Sequence, residues 1–468
     1  MQRTYEREVK LDPDEGFALP ELPGRPLASR IFTSTYYDTP ARSLARAGIT
    51  IRRRVENGLS RWQLKLPRDG HRDELEAPGG PAGPPPQLAA LLTAHLRHGR
   101  LEPVATLRTR RVGVRVASGD RAVADVVLDH VDILDAGHAA GGFAELEVEL
   151  IEGDDRDLER LARVLRRAGA HRSRGTPKVL RVLDLEELRA PAEDAQPVEH
   201  IRHFLAEQLR ALEADDPGVR LGDDVDAVHR LRIATRRGRA LIRATKPFFG
   251  DGLAPLSAEL RWLTGLLGPV RDLDVLLERL RLEVACLDAD RGGGDALISL
   301  LEDERAHARG KLLAGLDDAR YLALLAQFDE TLQAIPPVPE GSTLDELVAR
   351  ELRRLRRRAS RLPELPSDSE LHDLRKTAKH VRYAAELASL TGAPAMKRFV
   401  AAVKEFQDVV GEHQDAVVAE ERIRAVASQE SAIAAGRLIE RERERRLSAR
   451  RGYPDMLAEA LTRARKAL

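Results

Sequence analysis

Residues 5–10 read Tyr5-Glu6-Arg7-Glu8-Val9-Lys10. In a strand, successive side chains point to opposite faces. Glu6, Glu8 and Lys10 then share one face, and Tyr5, Val9 and Leu11 share the other. Two carboxylates beside an ammonium suit a cavity that holds a hard cation and an anion together, as a metal-bound polyphosphate requires. A charged face on one strand is ordinarily a solvated face, so the reading turns on whether later strands repeat the pattern.

Later strands do repeat it. Ile49–Val55 places Arg52 and Arg54 on one face, and the Asn57-Gly58 turn returns the chain as Arg61–Leu66. There Trp62, Leu64 and Leu66 are apolar, with Gln63 and Lys65 opposite. Leu107–Val116 carries Arg108 and Arg110 in phase, and a bulge would substitute Arg111. Ala122–Ile133 carries Asp125 and Asp129; Ala144–Ile151 aligns Glu145, Glu147 and Glu149 against Leu146, Val148 and Leu150. The signs sort by strand, whereas solvated faces mix them. An antiparallel sheet closed into a tunnel with a polar lumen explains the sorting. Unmatched charges inside it would be costly, so a bound ion or ligand is expected.

At 468 residues the chain has room for two or three domains. Its 76 basic and 76 acidic residues cancel, so no global field draws it to nucleic acid or membrane, and anion binding must come from local clusters. The single cysteine, Cys286, excludes an intrachain disulfide. No stretch approaches the roughly 20 apolar residues of a membrane span, and the charged amino terminus lacks an apolar signal core. A soluble cytoplasmic protein is expected.

The Glu6-x-Glu8-x-Lys10 strand, the Arg52-x-Arg54 strand, Lys65 and the Glu145-x-Glu147-x-Glu149 strand together resemble the triphosphate tunnel metalloenzymes, or CYTH family. The resemblance covers residues 1–190 and implies an antiparallel β-tunnel that hydrolyses triphosphates, or cyclises ATP, with magnesium or manganese. By resemblance, Glu6, Glu8, Asp129, Glu145, Glu147 and Glu149 are metal ligands. Lys10, Arg52, Arg54, Lys65, Arg108, Arg110 and Lys178 hold the phosphates, and Glu6, Glu8, Lys10, Lys65 and Glu147 form the catalytic set. Pro177-Lys178 stands where the family often has Ser-Lys. Thr50 stands where thiamine-triphosphate-specific members carry tryptophan, which favours inorganic triphosphate.

After a linker at 191–197, period two gives way to eight to ten expected helices over 198–468. This half repeats itself: His229, Arg232, Arg236, Arg239, Gly268 and Asp272 recur 143 positions later as His372, Arg375, Lys379, Arg382, Gly411 and Asp415. Two similar bundles, about 198–283 and 341–426, follow. His229, Arg232, Arg236, Arg239 and Arg243 form one helical stripe; His372, Arg375, Lys379 and Arg382 form its match. A third basic helix spans Arg350–Arg361. Like charges at such spacings destabilise a helix unless an anion offsets them. These residues resemble the CHAD family, which implies binding of inorganic polyphosphate and association with its granules. With Tyr383 the only aromatic in either stripe, the surface is poorly suited to stacking bases, which argues against nucleic acid. Alternative expectations are a non-catalytic polyphosphate-binding or granule-targeting protein, and an adenylate cyclase or other nucleoside or organic triphosphatase.

Overall fold

The computed structural model describes residues 1–68, 71–173, 177–183, 185 and 190–468, without the side chains of Tyr5, Glu6 and His71. The chain divides into two compact units, Met1–Leu188 and Arg189–Leu468.

The first unit is an antiparallel sheet of eleven strands among the described residues. They are β1 (Gln2–Glu6), β2 (Glu8–Pro13), β3 (Gly24–Pro26), β4 (Arg30–Asp38), β5 (Thr50–Glu56), β6 (Leu59–Arg68), β7 (His71–Pro78), β8 (Glu102–Ser118), β9 (Arg121–Asp135), β10 (His138–Leu150) and β11 (Ala170–Arg172). The paired order is β1-β7-β6-β5-β4-β8-β9-β10-β2-β11, with β3 on β8. The expected closed ladder is therefore an open hydrogen-bonded path. Its ends meet through the chain instead: the segment read above as one strand breaks at Arg7, with β1 on β7 and β2 on β10. The Arg7 carbonyl still accepts from the Leu150 amide at 3.0 Å.

The β5–β6 hairpin turns through Asn57 and Gly58, both at positive φ (50° and 78°), the geometry of a tight turn matched to strand twist. Outward-facing Trp62, Leu64, Leu66 and Leu75 are buried, as are Leu88, Leu91 and Leu92 of a short helical segment. Elsewhere the outer face of β9 and β10 packs Val126, Leu128, Leu146 and Val148 against helix α1 (Asp155–Arg167) through Leu158, Leu161 and Leu165. Asp154 and Asp157 form a capping box that starts α1.

The second unit holds nine long helices among the described residues: α2 (Pro197–Leu221), α3 (Ala227–Ala244), α4 (Ala254–Val284), α5 (Arg291–Asp317), α6 (Ala319–Ala334), α7 (Leu344–Ala359), α8 (Asp368–Ala388), α9 (Pro394–Val426) and α10 (Ala432–Ala467). The 143-residue offset carries α2, α3 and α4 onto α7, α8 and α9, and also α5 onto α10, beyond the expected repeat. The halves pack reciprocally: α3 on α8, α5 on α10, and the equivalent cross pairs α4–α10 and α9–α5. Arg279 on α4 reaches Glu442 on α10 at 2.8 Å. Its equivalent, Arg422 on α9, pairs with Glu304 on α5. Such self-complementary packing is that of a two-fold pair. The seam is apolar, built from Leu273, Leu277, Leu280, Leu297, Leu301, Ile423, Leu438 and Ile439. The α10 helix is therefore not merely solvated, as its alternating Glu and Arg suggest.

Candidate functional site

Strand register places most of the predicted charges of the first unit on one inner face. Lys10 lies opposite Glu147 and Glu8 opposite Glu149; Glu145 lies opposite Asp129, and Asp129 opposite Arg111. Farther round, Tyr36 faces Arg52, Arg52 faces Gln63 and Lys65 faces Glu74.

Ion pairs organise the acidic side. Lys10 Nζ lies 2.7 Å from Glu147 Oε1, 3.4 Å from Glu145 Oε2 and 3.5 Å from Glu8 Oε1. Lys178 Nζ, delivered by a 3-10 turn at Lys178–Arg181, contacts Glu145 and lies 2.6 Å from Glu147 and 3.2 Å from Asp129. Arg111 grips Asp129 with two hydrogen bonds of 2.7 and 2.8 Å and donates to Glu149 at 3.1 Å. Arg181 pairs with Asp12 at 2.9 Å. Among the described residues, six carboxylates (Glu8, Asp12, Asp129, Glu145, Glu147 and Glu149) thus meet four cations (Lys10, Arg111, Lys178 and Arg181).

Burial alone would raise the Glu147 carboxyl, but Lys178, Lys10 and Arg111 outweigh it and hold the group well below the usual range. Glu145 goes the other way, raised by burial against the pull of Lys178 and Lys10. Lys10 is lowered by burial but raised further by Glu147, Glu8 and Glu145, and ends well above the ordinary lysine value.

Carboxylate oxygens of Glu8, Glu147 and Glu149 lie within 4.8 Å of one another. All-oxygen donors at this spacing fit a hard divalent cation. Glu145 and Asp129, also expected among the ligands, adjoin this group and, like Glu147, are paired with Lys178, Lys10 and Arg111. The Glu6 side chain lies outside the described residues.

The basic side of the same face holds Arg30, Arg52, Arg54 and Lys65 against Glu56 and Glu74. Arg52 donates to Gln63 at 2.7 Å and to the Tyr36 hydroxyl at 2.9 Å. Arg54 pairs with Glu56 at 2.8 Å and lies 3.6 Å over the Phe32 ring. Burial first, then the charge of Arg52, push Arg54 down to about 10. Lys65 Nζ lies 3.7 Å from Glu74. One end of the inner face is apolar: Val179 packs with Tyr36, Leu107 and Val131.

In the second unit both basic stripes open into one cleft of about 1150 Å³, lined by His229, Arg232, Arg236, Arg239, Arg243, His372, Arg375 and Lys379. Arg232 pairs with Asp272 at 3.2 Å, and the equivalent Arg375 and Asp415 are 4.0 Å apart. These aspartates brace the stripes. Burial, then Arg236, Arg375 and Arg232, lower Lys379 to about 6. Burial is also the first cause lowering His229 and His372, which favours neutral hydrogen-bonding rings.

A family model described as "CYTH domain" matches residues 2–178, and one described as "CHAD domain" matches residues 203–424. The chain is a CYTH domain followed by a CHAD domain. An uncharacterized protein of Mycobacterium tuberculosis, Rv2226, is 30% identical over 460 residues, spanning 90% of this chain and 88% of its own length. The CHAD domain from the plant Ricinus communis is similar at 23% identity and a TM-score of 0.49, covering 61% of this chain and 98% of that one. PptA from Streptomyces chartreusis is similar at 21% identity and a TM-score of 0.48, covering 56% of this chain and 99% of that one.

In the CYTH domain the structure assembles Glu8, Lys10, Arg52, Arg54, Lys65, Asp129, Glu145, Glu147, Glu149 and Lys178 on one inner face. Arg108 and Arg110 do not join them. Both are exposed on the outer face, and Arg111 takes the inner position. Glu74, Glu76 and Arg181 were not anticipated from the sequence; β7 has too little apolar alternation to read as a strand. In the CHAD domain Arg382 departs from the expected set: it pairs with Glu386 at 3.2 Å, while Lys376, His380 and Tyr383 line the cleft beside Lys379. Arg261, Arg271 and Arg279 of α4 line it too, a contribution visible only once α4 is seen to pack on α3. No helix of the described residues is long and apolar enough to cross a membrane.

Proposed function

We propose that the CYTH domain hydrolyses inorganic triphosphate with magnesium or manganese, and that the CHAD domain binds inorganic polyphosphate. The observation that carries the first part is the Glu8, Glu147 and Glu149 group on the same inner face as Arg52, Arg54 and Lys65. In this reading Glu8, Glu147 and Glu149 hold the divalent cation, which when bound neutralises phosphoryl oxygens and lowers the pKa of attacking water. Arg52 and Arg54 grip phosphate oxygens with planar forks, and Lys65 acts as a point charge. Lys10 and Lys178 hold Glu147 ionised and in place.

Ring contacts favour an inorganic substrate. Phe32 lies beneath Arg54, Phe143 lies 4.4 Å beneath Arg181, and the Tyr36 hydroxyl accepts from Arg52. A nucleobase would have to displace an arginine from each ring to stack there. For the CHAD domain, support comes from a cleft whose lining is dominated by cations, several with values lowered by burial and by each other.

A substrate panel tests the proposal. Tripolyphosphate, longer polyphosphate and ATP are incubated with the full chain and each metal, and orthophosphate and nucleotide products are followed. Orthophosphate from tripolyphosphate is the expected result. No release with either metal rejects the enzymatic reading, and cyclic AMP as the main product rejects the inorganic one.

A further inference from the structure

The α7 helix carries more charge than the cleft uses. Its Arg350, Arg354, Arg357 and Arg361 fall at i, i+4, i+7 and i+11, so they form one straight stripe whose last residue lies just past the helix end. It rises roughly 16 Å at 1.5 Å per residue. Arg354, Arg357 and Arg361 are exposed and Arg350 is half-buried. Two acids lie near the stripe: Glu346, in the first turn on the same row as Arg350, and Glu351, buried at its flank and paired with Arg354 at 2.6 Å. Arg350, Arg357 and Arg361 have no acidic partner among the described residues. Cations repeated at three- and four-residue spacing repel one another, so the stripe costs helix stability for which the isolated domain shows no return.

The stripe begins where the cleft ends. At the cleft rim Arg243 of α3 donates to His380 Nε2 of α8 at 2.8 Å. Both feel α7 directly. Burial, with Arg354 and Arg350 adding to it against Glu351, lowers Arg243. Burial, Arg243 and Arg354 lower His380 to about 4. The α7 helix packs along α8, so Arg350 and Arg354 stand beside the Arg243–His380 pair and the row of cations leads from the cleft rim onto α7.

We propose that Arg350, Arg354, Arg357 and Arg361 form a second subsite, continuous with the cleft, that carries the part of a long polyphosphate chain the cleft cannot hold. This rests on the cleft itself binding polyphosphate. A chain short enough for the cleft never reaches α7, so the stripe makes affinity grow with chain length. Polyphosphate suits it better than nucleic acid, because no aromatic residue interrupts residues 350–361 to stack a base.

The test compares binding of tripolyphosphate, a short polyphosphate and a long polyphosphate to the full chain over a range of salt. The variants are R357Q/R361Q and a control, R356Q/R451Q, which removes the same charge from exposed positions off the stripe. Glutamine keeps helix propensity close to arginine's, so folding is preserved. In the wild-type chain the long polyphosphate binds more tightly and with a steeper salt dependence than the short one. R357Q/R361Q reduces that salt slope by about 0.7 per arginine removed and loses the gain with length, while tripolyphosphate binding stays unchanged. The control retains the gain. Equal long-chain affinity and slope in the wild type and R357Q/R361Q overturns the subsite while leaving the cleft reading intact. No polyphosphate of any length binding the wild-type chain overturns the cleft reading instead. Single-stranded RNA matching long polyphosphate in the wild type, and losing affinity in R357Q/R361Q, reassigns the stripe to nucleic acid.

Discussion

Lys178 Nζ lies 2.6 Å from Glu147 Oε1, although 31 residues separate them in the chain. The same ammonium contacts Glu145 and lies 3.2 Å from Asp129. Burial lowers Lys178, and Glu147, Glu145 and Asp129 more than compensate, so it remains charged at neutral pH. One buried cation thus neutralises part of three buried acids.

Removing that ammonium leaves carboxylates buried without their counterion. Breaking a buried pair costs about 3–5 kcal/mol. K178M is therefore expected to destabilise the CYTH domain by that amount in urea unfolding followed by fluorescence of the buried Trp62. An unchanged midpoint and slope would mean that Lys178 is not what holds the acidic cluster.

Glu149 gives the cleanest probe of the metal. Its side chain is 36% exposed, against 5% for Glu147, so its loss disturbs packing least. E149Q keeps the shape and removes a charge. Losing a mere outer-shell partner costs up to about a hundredfold in metal affinity, and a direct ligand should cost more. A manganese titration of triphosphatase activity should shift by more than that, with activity partly regained at high metal. A titration curve superimposable on the wild type removes Glu149 from the ligand set.

Lys379 gives the CHAD domain a pH dependence with a definite sign. Arg232 and Arg236 face it from α3, Asp415 lies nearby on α9, and Arg375, Arg382, His372 and His380 belong to its own helix. Its folded value of about 6 lies below the unfolded value, near 10.4. Between those values the unfolded chain binds more protons, so stability without ligand rises with pH across that window. A bound polyanion favours the ammonium, so binding above pH 6 takes up a proton. Affinity should then strengthen as pH falls from 8 to 6, by at most about tenfold per pH unit for one proton. K379R keeps the charge at all these pH values, and should bind as well at pH 8 as at pH 6 apart from a histidine contribution. Identical pH profiles for wild type and K379R would exclude Lys379 as the titrating group.

Much of this architecture is legible in the sequence because its signals are periodic. Glu145, Glu147 and Glu149 alternate with residues that pack under α1, and the 143-residue offset carries whole helices onto one another. Roles set by long-range partners are not legible. That Asp129, Glu145 and Glu147 share Arg111 and Lys178 as counterions becomes visible only in the fold. The strand at 71–78 escapes notice because only Leu75 and Ala77 mark its buried face. Arg108 and Arg110 mislead for a specific reason. Leu107 looks like an outward-facing core residue, but it belongs to the apolar end of the inner face with Tyr36, Val131 and Val179. Its phase carries Thr109 and Arg111 inward and turns Arg108 and Arg110 out.

That phase yields a discriminating pair of variants. Arg54 lies on the inner face, lowered to about 10 by burial and then by Arg52, so an arriving phosphate relieves repulsion as well as making hydrogen bonds. A charge-assisted hydrogen bond contributes about 1.5–3 kcal/mol. R54Q should therefore reduce kcat/KM for tripolyphosphate by roughly 10- to 100-fold, because each 1.36 kcal/mol is tenfold in rate. R108Q/R110Q removes two arginines from exposed outer positions, where substitutions usually change stability by less than about 0.5 kcal/mol. Neither residue faces the inner site, so kcat/KM should match that of the wild type. If R108Q/R110Q proved the more damaging, substrate would have to approach the outer face of β8, and the inner-face assignment of the whole phosphate site would fail with it.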